Sequence, residues 1–321
     1  MPSYGYSLMC ELYDPNELLA QAARAEAAGF DFVTISDHFH PCCSRTTTAR
    51  MPGACSRSPR RRSESSSSRS SPARRSATTP AIVAQKAATV AVMSDGRFRL
   101  GVGAGENLNE HVVGRGWSPV HIRHEMLEEA IEIIRALWGG GYYAHQGKHY
   151  RVDDARIFTL PDEPPPIYVA VSGRDSVALA ERAGDGMVAI HPRAELTHPF
   201  AKAGKPRYGQ LALAVDEDEA RARRLAHELF RFSAGGWKVQ SELPNPINFE
   251  AATAHVREED VAKDIPCGVD PDLHAEAIRR WVDAGFDRIA IVALGNLDRF
   301  FELWEQELRE RLDSLAASPT P

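Results

Sequence analysis

Two stretches near opposite ends of the chain repeat one pattern. Residues 23–36 read "ARAEAAGFDFVTIS" and residues 278–293 read "IRRWVDAGFDRIAIVA". Each holds the end of an amphipathic helix, an Ala-Gly-Phe-Asp turn, and a short run of β-branched and aromatic residues that reads as a buried strand. A unit that delivers each strand by way of a helix lays its strands parallel. The same alternation fills most of the chain. Seven strand-like runs stand out, at residues 4–9, 30–36, 97–106, 165–173, 186–190, 208–215 and 288–294. An eighth falls inside residues 42–79. Eight such units close into a (β/α)8 TIM barrel, which needs about 250 residues plus insertions. The chain is read as α/β, with one barrel domain over residues 1–313 and a tail over 314–321. An open doubly wound sheet is the competing arrangement. Its phosphate-binding fingerprint is incomplete, because "GVGAGE" at 101–106 sits mid-chain, lacks the full Gly-x-Gly-x-x-Gly spacing and leads into Asn and acids.

Residues 42–79 break the pattern. They hold one Met and no Leu, Ile, Val, Phe, Tyr or Trp, but nine Arg against the single acid Glu64. The strip carries +8, so a chain at −6 overall keeps −14 on the remainder. An acidic body does not point to nucleic acid, which is not expected as a partner, and only the strip has a composition suited to one. Three of the five Cys (Cys42, Cys43 and Cys55) lie in the strip, and Cys10 and Cys267 show no metal-ligand spacing. That usage fits a reducing cytoplasm without a disulfide framework. The start "MPSYGYSLMCELYD" lacks the basic and apolar regions of a signal peptide, and no run approaches membrane-spanning length. The expectation is a cytoplasmic protein acting on a small molecule, with no membrane partner.

In such a barrel the chemistry sits where the strands end. Those ends offer Glu11 after the first strand and Asp37, His38, Phe39 and His40 after the second. "GAGENLNE" follows the fourth, with Ala104, Gly105, Glu106 and Asn109. Ser172 and Gly173 follow the fifth, and His191 and Arg193 the sixth. A His facing carboxylates across the mouth suits proton transfer. The bland alternatives are a His in a polar network and a Glu106 that caps the next helix. Two ionisable groups directly after buried strands are costly unless paired or used, which favours His38 and Glu106. The His-x-His of His38 and His40 also fits a metal-dependent hydrolase barrel. The further ligands are missing, since the later strands end in "VSGR" and "ALGN", so no metal is assigned.

"GFDFVTISDHFHP", "PAIVAQKAATVAVMSDGRFRLGVGAGENLNE" and "YVAVSGRDSVALAERAGDG" resemble the luciferase-like barrel enzymes. More narrowly they resemble the coenzyme F420 (deazaflavin)-dependent branch that includes the glucose-6-phosphate dehydrogenases. The resemblance covers nearly the whole chain outside the strip. It implies hydride transfer between a substrate carbon and the deazaflavin ring, with His38 as base and Glu106 as acid. It implies coenzyme contacts at Asp37, Ala104, Gly105, Asn109, Ser172 and Gly173, a substrate pocket at Glu11, His40 and Arg193, and a homodimer. The sugar-phosphate branch holds its phosphate with three basic residues. Arg193 matches one, but Gln240 and Asp264 stand near the other two. The implied substrate is therefore an unphosphorylated alcohol or carbonyl compound rather than glucose 6-phosphate. The alternatives are an FMN-dependent luciferase-like monooxygenase and an inactive protein whose basic insert binds nucleic acid.

The same resemblance places a Trp after "DHF-x-P", then a strand, then "TCPT-x-RYHP". Here the strip fills that length without its apolar pattern. A codon string for Thr-Cys-Pro-Thr-Val-Arg-Tyr-His, ACC TGC CCG ACG GTC CGC TAC CAC, entered one base late, reads Pro-Ala-Arg-Arg-Ser-Ala-Thr-Thr. That is the sequence of residues 72–79. A pair of compensating frame shifts thus accounts for both the composition and the length of the strip. An inserted disordered segment is the competing account. If the strip replaces the third strand, the expectation is a disrupted barrel with two open strand edges, impaired in folding and in coenzyme binding.

Overall fold

Gly29 and Gly285, the glycines of the two repeated turns, have φ of 82° and 85°. This left-handed region suits a residue without Cβ. Each turn buries its Phe. Phe30 stacks on Trp304 at 4.1 Å between ring centroids, and Phe286 meets Trp281 edge-on at 4.9 Å. Each Asp then ties two strands together at their starts. Asp31 Oδ2 accepts from Tyr4 N (2.8 Å), and Asp287 Oδ1 accepts from Arg207 N (3.0 Å). A third Ala-Gly-Asp turn does the same, with Asp185 Oδ2 accepting from Ile167 N (2.8 Å). In all three the Asp also donates its own backbone N–H to the carbonyl of the residue it caps.

The computed structural model describes residues 2–36, 38–42, 64–67, 79–114 and 116–317. Its strands are β1 (Ser3–Leu8), β2 (Phe32–Ile35), β3 (Glu64–Ser67), β4 (Phe98–Val102), β5 (Tyr143–Gln146), β6 (Arg151–Ala155), β7 (Ile167–Ala170), β8 (Gly186–Ala189), β9 (Arg207–Val215) and β10 (Arg288–Gly295). Eight of them close a barrel in the order β1-β10-β9-β8-β7-β4-β3-β2. Its paired neighbours run parallel, as the alternation of helix and strand requires. β5 and β6 form a separate antiparallel hairpin that the sequence pattern does not predict. Glu129 holds that hairpin down, accepting from His145 Nε2 at 3.1 Å and from Tyr150 N at 2.8 Å.

The expected gap at the third strand needs correction. The backbone of Glu64–Ser67 runs as β3, with four residues in register with β2 and two with β4. A β-ladder needs only backbone N–H and C=O groups, which every non-Pro residue supplies. Residues 60–71 are the longest part of the strip free of Pro and Gly. The barrel therefore closes without an apolar third strand. Asp37 and strip residues 43–63 and 68–78 lie outside the described residues. At the other end, the last helix runs from Arg309 to Ala317, so the expected boundary at 313 falls inside it. Among the described residues no helix is long and apolar enough to cross a membrane.

The barrel interior is layered, because side chains two apart along a strand share a face. Phe32, Tyr168, Val188, Tyr208 and Ala290 plug the lower end. Gly5 makes room for the plug, since a Cβ there would lie 2.2 Å from the Phe32 ring. One step higher the layer turns polar: Thr34 Oγ1 donates to Ser7 Oγ (2.9 Å), and Gln210 Nε2 reaches the same oxygen (2.6 Å). Two residues further along the chain come Ser36 and then His38, at the mouth.

Candidate active site

His38 sits between two carboxylates. Glu11, in the turn after β1, contacts His38 Nδ1 through Oε1. Glu106, after β4, places Oε1 3.4 Å from His38 Nε2. The His38 side chain is 4% exposed and each carboxylate 7%, so three ionisable groups are buried together. Such a cluster survives only if its charges are paired. Burial alone pushes the Glu11 pKa up, but the charge and hydrogen bond of His38, its own backbone N–H and the Ser36 hydroxyl outweigh burial and bring it to about 2. Ser36 Oγ lies 2.9 and 3.0 Å from the two Glu11 oxygens.

Glu106 does not cap the helix that follows it: the side chain makes no cap hydrogen bond at Asn107–Glu110. The bland account of this residue is therefore set aside. Asn109, one turn on, uses Oδ1 to accept from Phe39 N (2.8 Å) and His40 N (2.9 Å). It thereby ties the loop after β4 to the loop that carries His38. Its Nδ2 is buried and has no hydrogen-bond partner among the described residues. Gly105 has φ of 78°, and a Cβ on Gly173 would meet nothing within 4 Å, so backbone is exposed to open space beside this mouth.

A cavity of about 180 Å³ opens onto the Glu11–His38 pair. Its wall is largely apolar, including Met9, Leu12, Phe230, Phe232, Ile265 and Val292, with Gln210, Gln240, Asp264 and Arg280 among its polar members. Phe230, Phe232 and Gln240 belong to a helical excursion between β9 and β10, and the sequence pattern alone does not place that excursion at the site. The excursion is clasped to the loop of Glu106. Asn107 N donates to Ser241 O (2.9 Å), and Trp117 Nε1 donates to Glu242 Oε2 (2.6 Å). The buried Arg123 guanidinium lies 3.7 Å from the Trp117 ring centroid and 3.3 Å from Glu242.

The other expected residues are arranged as follows. Ala104 and Gly105 lead directly into Glu106. Ser172 and Gly173 open the helix Arg174–Ala183, both donating backbone N–H to Ser176 Oγ, at 3.0 and 3.1 Å. His40 turns from the cavity wall to stack on His111 at 5.9 Å. Arg193 donates to the Ser172 carbonyl and lies 3.7 Å from Glu195, while its neighbours His191 and Pro192 line the cavity. Ser36 and Cys10 do not stand out in the sequence. Nothing local marks them; they matter because β1 and β2 lie side by side. No group of three or more His, Cys, Asp or Glu among the described residues is arranged to hold a metal, including the His38–His40 pair.

A family model described as luciferase-like monooxygenase matches residues 4–288. The chain belongs to the luciferase-like family. Within it, the chain is 32% identical to an F420-dependent glucose-6-phosphate dehydrogenase of Segniliparus rotundus, over 97% of this chain and 98% of the relative. It is 34% identical to an F420-dependent hydroxymycolic acid dehydrogenase of Mycobacterium tuberculosis, over 88% of this chain and 80% of the relative. Among solved structures, an F420-dependent secondary alcohol dehydrogenase in complex with an F420–acetone adduct superposes with a TM-score of 0.86 at 26% identity, over 97% of this chain and 99% of that one. The luciferase-like barrel is thus carried nearly end to end.

Proposed function

We propose that this chain is a coenzyme F420-dependent dehydrogenase acting on an unphosphorylated, largely apolar alcohol or the matching carbonyl compound. One observation carries the proposal: a buried Glu11–His38–Glu106 row that opens onto an apolar cavity. The relatives named above support the coenzyme. The residues present fit it, because the buried Asn109 Nδ2 is a donor in want of an acceptor and the glycines leave backbone accessible. Asn109, Ala104, Gly105, Ser172 and Gly173 would hold the coenzyme, which when bound supplies the hydride acceptor for alcohol oxidation.

The remaining work falls to this chain's own side chains. Glu11 holds the proton of His38 on Nδ1. That leaves Nε2 as the base that takes the hydroxyl proton of the substrate. Glu106 is the acid on the coenzyme side. The apolar wall excludes water and strengthens each of these interactions. Asp264 puts a carboxylate on the wall, and Gln240 is a neutral amide whose Nε2 donates to Phe232 O (2.7 Å). Arg280 is the one Lys or Arg among the described lining residues, so a phosphate would meet a single guanidinium beside an acid rather than a cluster of cations, which disfavours sugar phosphates. The solved secondary alcohol dehydrogenase agrees with a neutral alcohol in such a pocket.

Titrating the full chain with F420 and with FMN, then screening secondary alcohols by the coenzyme's absorbance, tests the assignment. The expected outcome is F420 binding, oxidation of apolar secondary alcohols, and little rate with glucose 6-phosphate. Preference for FMN would move the chain to the monooxygenases of its family. A faster rate with glucose 6-phosphate than with any neutral alcohol would remove the substrate class.

A further inference from the structure

Beside Glu11 a buried chain of hydrogen bonds runs from Ser36, on the cavity wall, to Cys10, and the proposed reaction does not use it directly. We propose that Ser36 is a positioning residue whose hydroxyl decides which nitrogen of His38 carries the proton. Neutral imidazole has one N–H, and the better-placed acceptor takes it. Here two carboxyl groups flank the ring, Glu11 at Nδ1 and Glu106, 3.4 Å away, at Nε2, and Glu106 can take an N–H only while it does not hold the proton it gives on the coenzyme side. If Glu106 took the N–H, Nε2 would no longer be a base. Ser36 tips the balance. Its Oγ donates to Glu11, 2.9 and 3.0 Å from the two oxygens, so the carboxylate is gripped from both sides and its plane is set.

Ser36 is itself held in place. The Cys10 thiol lies 3.0 Å from the Ser36 carbonyl and 3.3 Å from Ser36 Oγ. Cys10, Glu11, Ser36 and His38 are all buried, so water cannot replace a missing donor cheaply. The strand pattern explains the arrangement. Ser36 follows Phe32 and Thr34 on the inward face of β2 and its extension, and β2 pairs with β1, whose continuation brings Cys10 and Glu11. The other titratable groups around His38 among the described residues are Glu106, the neighbouring His40, and Cys42, His191, Asp264 and Arg280 on the cavity wall. None of these lies between Ser36 and Glu11.

The test is nitrogen NMR on the full chain with 15N-labelled histidine, the His38 signals being assigned by their loss in His38→Gln. The parent is expected to show the Nδ1–H tautomer, and Ser36→Thr to keep it. Ser36→Ala is expected to raise the Nε2–H population several-fold, because the Glu11 carboxylate loses the contact that sets its plane. Ser36→Cys, a weaker donor of similar shape, falls between and stands in if the Ala variant folds poorly. An unchanged tautomer overturns the proposal. It rests on His38 being the base, and the two can fail separately. A tautomer that shifts in a chain without F420-dependent turnover removes the function and keeps the positioning. Parental kcat/KM in folded Ser36→Ala, in an active chain, removes the positioning and keeps the function.

Discussion

His38 lies between two acids because three different strands, β1, β2 and β4, end at one mouth of the barrel, and each contributes one group. If it is the base, His38→Ala should lower kcat by at least about a hundredfold while leaving F420 affinity within a few-fold. Fluorescence titration and steady-state rates on one preparation check both halves. Glu11 makes a separate prediction about stability. Its pKa in the folded chain is about 2, below the roughly 4.3 of an unfolded Glu. A depressed folded pKa means that stabilisation is complete above the unfolded value and is lost as pH falls toward the folded one. Urea unfolding midpoints should therefore drop between about pH 4.5 and 2, and Glu11→Gln should flatten that drop. A tenfold change in acidity is worth about 1.4 kcal/mol, so the effect is on the order of a few kcal/mol. Glu11, His38 and Glu106 were legible because an ionisable residue directly after a buried strand is conspicuous. Ser36 was not, since a serine at a strand end is ordinary until the acid it grips arrives from the neighbouring strand.

The helix–turn–strand unit was the most legible element. Its Gly needs a positive φ, its Phe must be buried, and its Asp takes an N–H at the start of the strand before it. Asp31→Ala and Asp287→Ala each leave a backbone donor without that partner at the lower end of the barrel, at a cost of about 1–3 kcal/mol. Both should lower the melting temperature by several degrees and leave kcat within about twofold, because the site lies at the opposite end. A loss of kcat as large as the His38→Ala effect would show that the lower end is coupled to the mouth. The β5–β6 hairpin was hidden in the sequence for the opposite reason. "YAHQGKHYRVDDA" has no clean alternation, and Glu129 of a helix orders it from outside.

For the molecule as a whole the strip is the decisive feature. Its backbone completes the ring, yet Glu64–Ser67 offers the barrel no apolar residue in sequence. A version of the chain in which residues 42–79 are replaced by the family's apolar third strand and "TCPT-x-RYH" should have a higher melting temperature and tighter F420 binding than the chain as it stands. Equal values for the two versions would mean that the strip serves the barrel as well as an apolar strand does. The order of helices and strands, the parallel sheet and the turn chemistry were determined by the sequence alone, because periodicity and backbone angles are local demands. Closure through β3, the clasp that seats the Phe232–Gln240 wall, and the meeting of Glu11, Ser36, His38 and Glu106 were decided only by the tertiary structure. Those contacts join residues far apart in the chain, and nothing in any one segment records which neighbour the barrel will give it.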